Sequence, residues 1–188
     1  MASKWIPTLP GLIFEERESH IDSRGSFIRF LELDGNSFSD AFSSIALSRN
    51  PIAGTIRGLH FQNYPYSEEK AIMCIKGSIF EVFVDLRRQC QTYGHWTHRV
   101  LSSTNFSVAM VPKGIAHGYQ TLEEDTWVLY GLTSTFSTKH AHRILYKDPL
   151  LAIEWPLAVT LISDEDANGM TWIECHKQNF EFANHLEI

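Results

Sequence analysis

Cysteine is scarce in this chain: three thiols, Cys74, Cys90 and Cys175, in 188 residues. Odd in number and nowhere spaced Cys-x-x-Cys, they supply no disulfide framework or redox motif, and they read as the reduced thiols of a cytoplasmic protein. Long apolar runs are absent as well. No stretch approaches the roughly 20 residues of a membrane span, and the segment from Met1 to Pro7 lacks the apolar core of a signal peptide. Positive charge is in deficit, since 16 Lys and Arg stand against 22 Asp and Glu, for a net charge of −6 and a sequence pI near 5.8. That excludes the basic field needed for nucleic acid or an anionic membrane; a phosphorylated ligand must be held by a few placed cations. No internal repeat or low-complexity linker divides the chain. One domain over residues 1–188 is expected, with 167–188 as a C-terminal tail.

What the chain has in quantity is short strand-like runs separated by turn residues. Gly11 to Phe14 reads as a strand, Asp22 to Ser26 as a turn, and Phe27 to Leu33 alternates with period two. Asp34 to Ser37 closes that run, and Phe38 to Phe42 reads as a short helix capped by Ser37. Further strands are expected at Ser44–Ser48, Lys70–Lys76, Ser78–Leu86, Trp96–Leu101, Phe106–Val111, His117–Thr121 and Thr126–Thr133. In Ser78–Leu86, Phe80, Val82, Val84 and Leu86 share one face, and Ile79, Glu81, Phe83 and Asp85 the other. The tail is broken by Asp148-Pro149 and Trp155-Pro156, and Ser163 to Asp166 can cap a short helix. Many short strands and one to three short helices predict an all-β sandwich or barrel.

One stretch concentrates chemistry: Arg57-Gly58-Leu59-His60-Phe61-Gln62. Arg57 and His60 lie an odd number of positions apart. On a regular strand they point to opposite faces, unless Gly58 marks a bulge that re-aims one of them. Taken alone, His60 is more often a satisfied core histidine than a functional one.

The residues around it, in order, resemble the dTDP-4-dehydrorhamnose 3,5-epimerase family. The resemblance is carried by Asp22 to Phe27, RGLHFQ at Arg57, Lys70, Gly77 to Arg87 with its VDLR strand, and Thr92 to Trp96. It continues through Val111-Pro112-Lys113-Gly114-Ile115-Ala116-His117-Gly118-Tyr119, Tyr130, Asp148-Pro149, Ile153 to Pro156 and Ser163 to Asp166. It implies a cupin-type jelly roll and a homodimer whose subunits exchange strands. It also implies a cofactor-independent epimerase of deoxysugar or O-antigen-type polysaccharide synthesis. Such an enzyme inverts C3 and/or C5 of a nucleotide-diphospho-4-keto-6-deoxy sugar through an enolate.

That chemistry needs a base, a fixed positive partner for the enolate oxygen, and an acid opposed to the base. The resemblance assigns His60 as base, Asp166 as the carboxylate that orients it, Lys70 as enolate partner and Tyr130 as opposed acid. It assigns Arg57, His117, Arg24 and Asn50 to substrate contacts, and Phe136 to stacking on the nucleotide base. Read one by one, Asp166 is a turn acid, Lys70 a solvated strand-end lysine and Tyr130 a core aromatic; the case rests on their joint order. Cupin metal centres usually carry His-x-His where this chain has His60-Phe61-Gln62, so no metal is expected; His140 and His142 fall in a segment read as loop.

Departures from the family pattern cluster at ligand contacts. Arg29 stands where a Glu is usual, Ser48-Arg49-Asn50 replaces Gln-x-Asn, and the loop from Asn50 to Arg57 is shorter. Glu165 stands where a basic residue is expected, Gly131 follows Tyr130 in place of Lys, and the acidic position near His140 is not evident. The sequence leaves the nucleotide base and the number of centres inverted open. A sugar-nucleotide 3,4-ketoisomerase and a non-catalytic sugar-nucleotide-binding cupin are the alternative readings.

Overall fold

The computed structural model describes residues 4–31 and 41–182. Their strands are β1 (Ile13–Glu16), β2 (Ser19–Asp22), β3 (Gly25–Ile28), β4 (Ser44–Asn50), β5 (Ile56–Gln62), β6 (Lys70–Lys76), β7 (Ser78–Asp85), β8 (Trp96–Ser102), β9 (Ser107–Val111), β10 (Ile115–Thr121), β11 (Thr126–Leu132) and β12 (Ala141–Arg143). Two short helices follow, α1 (Asp164–Ala167) and α2 (Trp172–Gln178). The helix expected at 38–42 lies mostly outside the described residues, and 41–42 are not helical.

Two antiparallel five-stranded sheets face each other, one in the order β1-β9-β6-β11-β4 and the other β12-β5-β10-β7-β8. The alternation in β7 is what binds the layers. Ile79 and Phe83 point between the sheets and meet Ile72, Val111, Tyr119 and Val128 there. Phe80, Val82 and Val84 point the opposite way and meet Leu59, Leu151, Trp172 and Phe182. Both faces of β7 are therefore covered, which explains why every residue of this strand is buried. A side chain of that size, fully buried, contributes roughly 1.5–3 kcal/mol.

The C-terminal segment supplies that second cover. The residues expected as a tail carry α2, whose Thr171–Glu174 capping box is complete and whose Trp172 N–H donates to the Asp148 carboxylate at 2.8 Å. Trp172, Cys175 and Phe182 are buried against the outer face of the second sheet. Two strands were not visible in the sequence pattern. β2 pairs with β3 as a separate hairpin, its Asp22–Gly25 end at the expected turn. Residues 141–143, read as loop, pair with β5 as β12, because Ala141, His142 and Arg143 are too few and too polar to show a period.

Candidate active site

The glycine in the RGLH stretch does re-aim the histidine. On β10, His117 pairs with His60 and Gly118 with Gly58, so Leu59 is an extra residue on β5 and the ladder bulges there. Gly58 has φ +111°, and a Cβ on it would sit 2.6 Å from the Gly118 Cα. The bulge puts Leu59 into the core and brings Arg57 and His60, with opposite parity in the chain, onto one cavity. That cavity, of about 260 Å³, lies between the sheets and is also lined by Lys70, His117, Tyr130 and Phe136.

Asp166 reaches His60 from α1. Ser163 accepts from the Asp166 backbone N–H at 3.1 Å and so begins the helix. The Asp166 carboxylate lies 2.7 Å from His60 Nε2, accepts the Gly58 N–H at 3.1 Å, and has Arg143 Nε at 3.2 Å. Burial raises its pKa, but the His60 hydrogen bond and charge, the Gly58 N–H and Arg143 together outweigh burial and hold it below the ordinary value. An ionised carboxylate only accepts, so His60 Nε2–H donates to it and Nδ1 keeps the lone pair a base needs.

Lys70 and Tyr130 come from the facing sheet, on β6 and β11. The Lys70 ammonium lies 2.8 Å from His117 Nε2 and 3.3 Å from Glu68 Oε1. His117 Nδ1 lies 2.7 Å from Glu81 Oε1. Burial, then the charges of Lys70 and His60, hold the His117 pKa well below its ordinary value, so its ring is neutral. Burial foremost, with Tyr119 and Glu81 adding, holds the Tyr130 phenol well above its ordinary value, so it is a protonated donor.

The substrate-contact candidates divide. Arg57 and His117 line the cavity, and Phe136, 73% exposed, stands at its wall. Asn50 is buried behind them. Its Oδ1 accepts from Arg57 Nε at 2.8 Å and from the Tyr119 hydroxyl at 3.3 Å, so it holds Arg57 in place. Arg24 is not brought to the cavity of its own chain. It sits at the exposed β2–β3 turn in a bidentate pair with Asp22.

Sequence reading missed Arg143. It lies opposite His60 on β12 and donates from Nη2 to Glu165, so the unexpected acid at 165 is answered by an unexpected base across from it. Glu81 was also missed, because it reads as one more position in an alternating strand. Among the described residues no group of three or more His, Cys, Asp or Glu side chains is arranged to hold a metal ion. Gln62 spends its amide N–H bonds on the Tyr66 and Thr135 carbonyls and accepts the Ser137 N–H.

A cupin-type sandwich in which a histidine–carboxylate pair faces an ammonium and a phenol across one cavity has the groups that acid–base chemistry beside a carbonyl requires. The sequence model for the dTDP-4-dehydrorhamnose 3,5-epimerases matches residues 7–174, and the chain belongs to that family. The Mycobacterium tuberculosis dTDP-4-dehydrorhamnose 3,5-epimerase is 35% identical over 157 residues, covering 79% of this chain and 76% of that one. A Streptomyces niveus relative, named a dTDP-4-dehydrorhamnose 3-epimerase, is 30% identical over 163 residues, covering 84% and 77%. The Legionella pneumophila epimerase, solved in complex with dTDP-4-keto-L-rhamnose, superposes with a TM-score of 0.87 at 29% identity, over 96% of this chain and 98% of that one.

Proposed function

We propose that this protein inverts C3, C5 or both of a nucleotide-diphospho-4-keto-6-deoxy sugar, through an enolate, in deoxysugar synthesis. The observation that carries the reading is the division of labour between the sheets. His60, backed by Asp166, enters the cavity from one sheet, and Lys70 and Tyr130 enter from the other. A pyranose lying between them meets a base on one side and a donor on the other, which is what inversion requires.

In this reading His60 takes the proton from the carbon beside the ketone, and the Asp166 carboxylate stabilises the imidazolium that forms. The electron pair moves onto the carbonyl oxygen, where the Lys70 ammonium meets the developing charge. Tyr130 returns a proton to the opposite face of the carbon and is itself reprotonated through solvent. Arg57, held by Asn50, and His117 contact the ligand, and Phe136 stacks on its base.

Arg29 and Glu165 reverse charges that the family uses toward its ligand, and the family includes an enzyme named for C3 alone. The working form is a homodimer by strand exchange, in the cytoplasm. Its three free thiols suit a reducing compartment, and among the described residues no helix is long and apolar enough to cross a membrane.

The test is solvent exchange. In D₂O, the wild-type protein is incubated in turn with dTDP-, CDP-, GDP- and UDP-4-keto-6-deoxyhexoses and followed by proton NMR. Deuterium should enter C3, C5 or both of at least one of them, be lost in His60→Ala, and be greatly slowed in Tyr130→Phe. Binding without exchange on all four marks a non-catalytic binder, and movement of the carbonyl seen by carbon NMR marks a ketoisomerase.

A further inference from the structure

Glu81 is an ionisable group that neither the base nor the acid of this mechanism uses. It sits on β7 with no solvent exposure, on the face that points between the sheets beside Ile79 and Phe83. A carboxylate there costs several kcal/mol unless it is paired. Its Oε2 has no hydrogen-bond partner, and its Oε1 has one, His117 Nδ1. Such an expensive residue with a single contact points to the contact.

We propose that Glu81 is a positioning residue for the enolate partner Lys70, acting through the His117 imidazole. The geometry allows one consistent set of donors. Glu81 Oε1 accepts from Nδ1–H of a neutral His117, which leaves the lone pair on Nε2 to accept from the Lys70 ammonium 2.8 Å away. A second ammonium N–H lies toward Glu68, and the third is left for a ligand oxygen in the cavity that Lys70 lines. Fixing two of its three donors aims the third. The opposite tautomer of His117 would turn an N–H against the ammonium and release it.

The titratable and charged groups that face Glu81, His117 and Lys70 are Arg99 on β8, opposite Glu81 in the register with its guanidinium turned to Glu16 at 3.2 Å, Lys70 and Cys74 on β6, His117 and Tyr119 on β10, Tyr130 on β11, His60 on β5, and Glu68 in the loop before β6. Burial pushes the Glu81 carboxyl up to about 8, with the Lys70 ammonium opposing. Its charge therefore appears as pH rises through about 8. Ionised Glu81 makes the stronger bond to His117 and balances the ammonium beyond it.

This inference rests on the epimerase reading for its rate measurement and not for its tautomer measurement. In ¹⁵N-histidine NMR of the wild-type protein, His117 should be the neutral Nδ1–H tautomer from pH 6 to 9. An Nε2–H tautomer overturns the relay whatever the enzyme does. In the exchange assay, the wild-type rate at saturating sugar nucleotide should climb through about pH 8. Glu81→Gln, which keeps the shape and an acceptor oxygen, should lose that limb and fall about ten-fold in kcat at pH 8.5 with KM little changed. That is less than the hundred-fold or more expected for a direct oxyanion donor. Glu81→Asp, charged but shorter, should recover part of the limb. A Glu81→Gln profile that overlays the wild type, or a change confined to KM, overturns the positioning role. Absence of exchange in the wild-type protein overturns the epimerase reading and the rate claim together.

Discussion

In the proposed mechanism Asp166 acts on the reacting carbon only through His60, 2.7 Å away, so its replacement should separate rate from binding. Asparagine keeps the volume but removes the charge that stabilises the imidazolium. Asp166→Asn should lower kcat by roughly two to four orders of magnitude while KM moves little, measured by exchange at saturating substrate. The same carboxyl carries a sign for stability. Its pKa is depressed in the folded protein, so its contribution is present above the ordinary Asp value of 3.8 and is lost as pH falls below it. Acid unfolding of the wild-type protein and of Asp166→Asn should therefore converge below that pH and diverge above it. At this scale residue type and chain order sufficed to anticipate which side chains meet: His60, Lys70 and Tyr130 line one cavity, and Asp166 lies on His60. The sequence was illegible where a role depends on what lies behind. The resemblance assigns Asn50 a ligand contact but does not show its bond to Arg57, and nothing about Arg143 or Glu81 in the chain announces their partners.

The elements fix where these groups sit, and β5 leaves little room for change. Gly58 crosses Gly118 so closely that a methyl on either meets backbone: Gly118 Cα at 2.6 Å from the first, Arg57 O at 2.7 Å from the second. Gly58 also holds a positive φ that an L side chain resists. Gly58→Ala should cost roughly 2–5 kcal/mol in denaturant unfolding and abolish exchange even where the protein still folds, since the bulge is what turns His60 inward. α1 is more forgiving. Ser163→Ala removes one cap and should cost about 1 kcal/mol, slowing exchange less than any change to the dyad itself. The odd spacing of Arg57 and His60, with a glycine between, announced the bulge in the sequence. The three residues of β12 and the four of β2 could not announce themselves, because a period of two is not distinguishable over so short a run. α2 was hidden for another reason. Its stability comes from Trp172 and Cys175 packing on a sheet that is distant in the chain.

At the scale of the molecule, the distance of Arg24 from the cavity of its own chain becomes an argument about assembly. The β2–β3 hairpin forms a two-stranded sheet by itself and exposes Ile21 at 79% and Phe27 at 60%. Such a hairpin is marginal in water unless it packs on something. β4 closes the first sheet as an edge strand and exposes Ile45 at 75% and Leu47 at 52%. An apolar edge with no partner strand among the described residues invites one from another chain, and a two-fold pair would satisfy both hairpins and both edges at once. If the hairpin lies on the partner, Arg24 at its turn is delivered to the partner's cavity, which reconciles its family role with its distance from the cavity of its own chain. Mixing tests this. Arg24→Ala and His60→Ala homodimers should each be impaired. After unfolding and refolding together in equal amounts, half the dimers are mixed, and one site in each mixed dimer has both residues intact. Exchange activity should then return to about a quarter of the wild-type value. With Arg24 acting within its own chain, every intact His60 would share its site with the truncated side chain of the Arg24→Ala protein, and mixing would raise the rate no higher than that protein reaches alone.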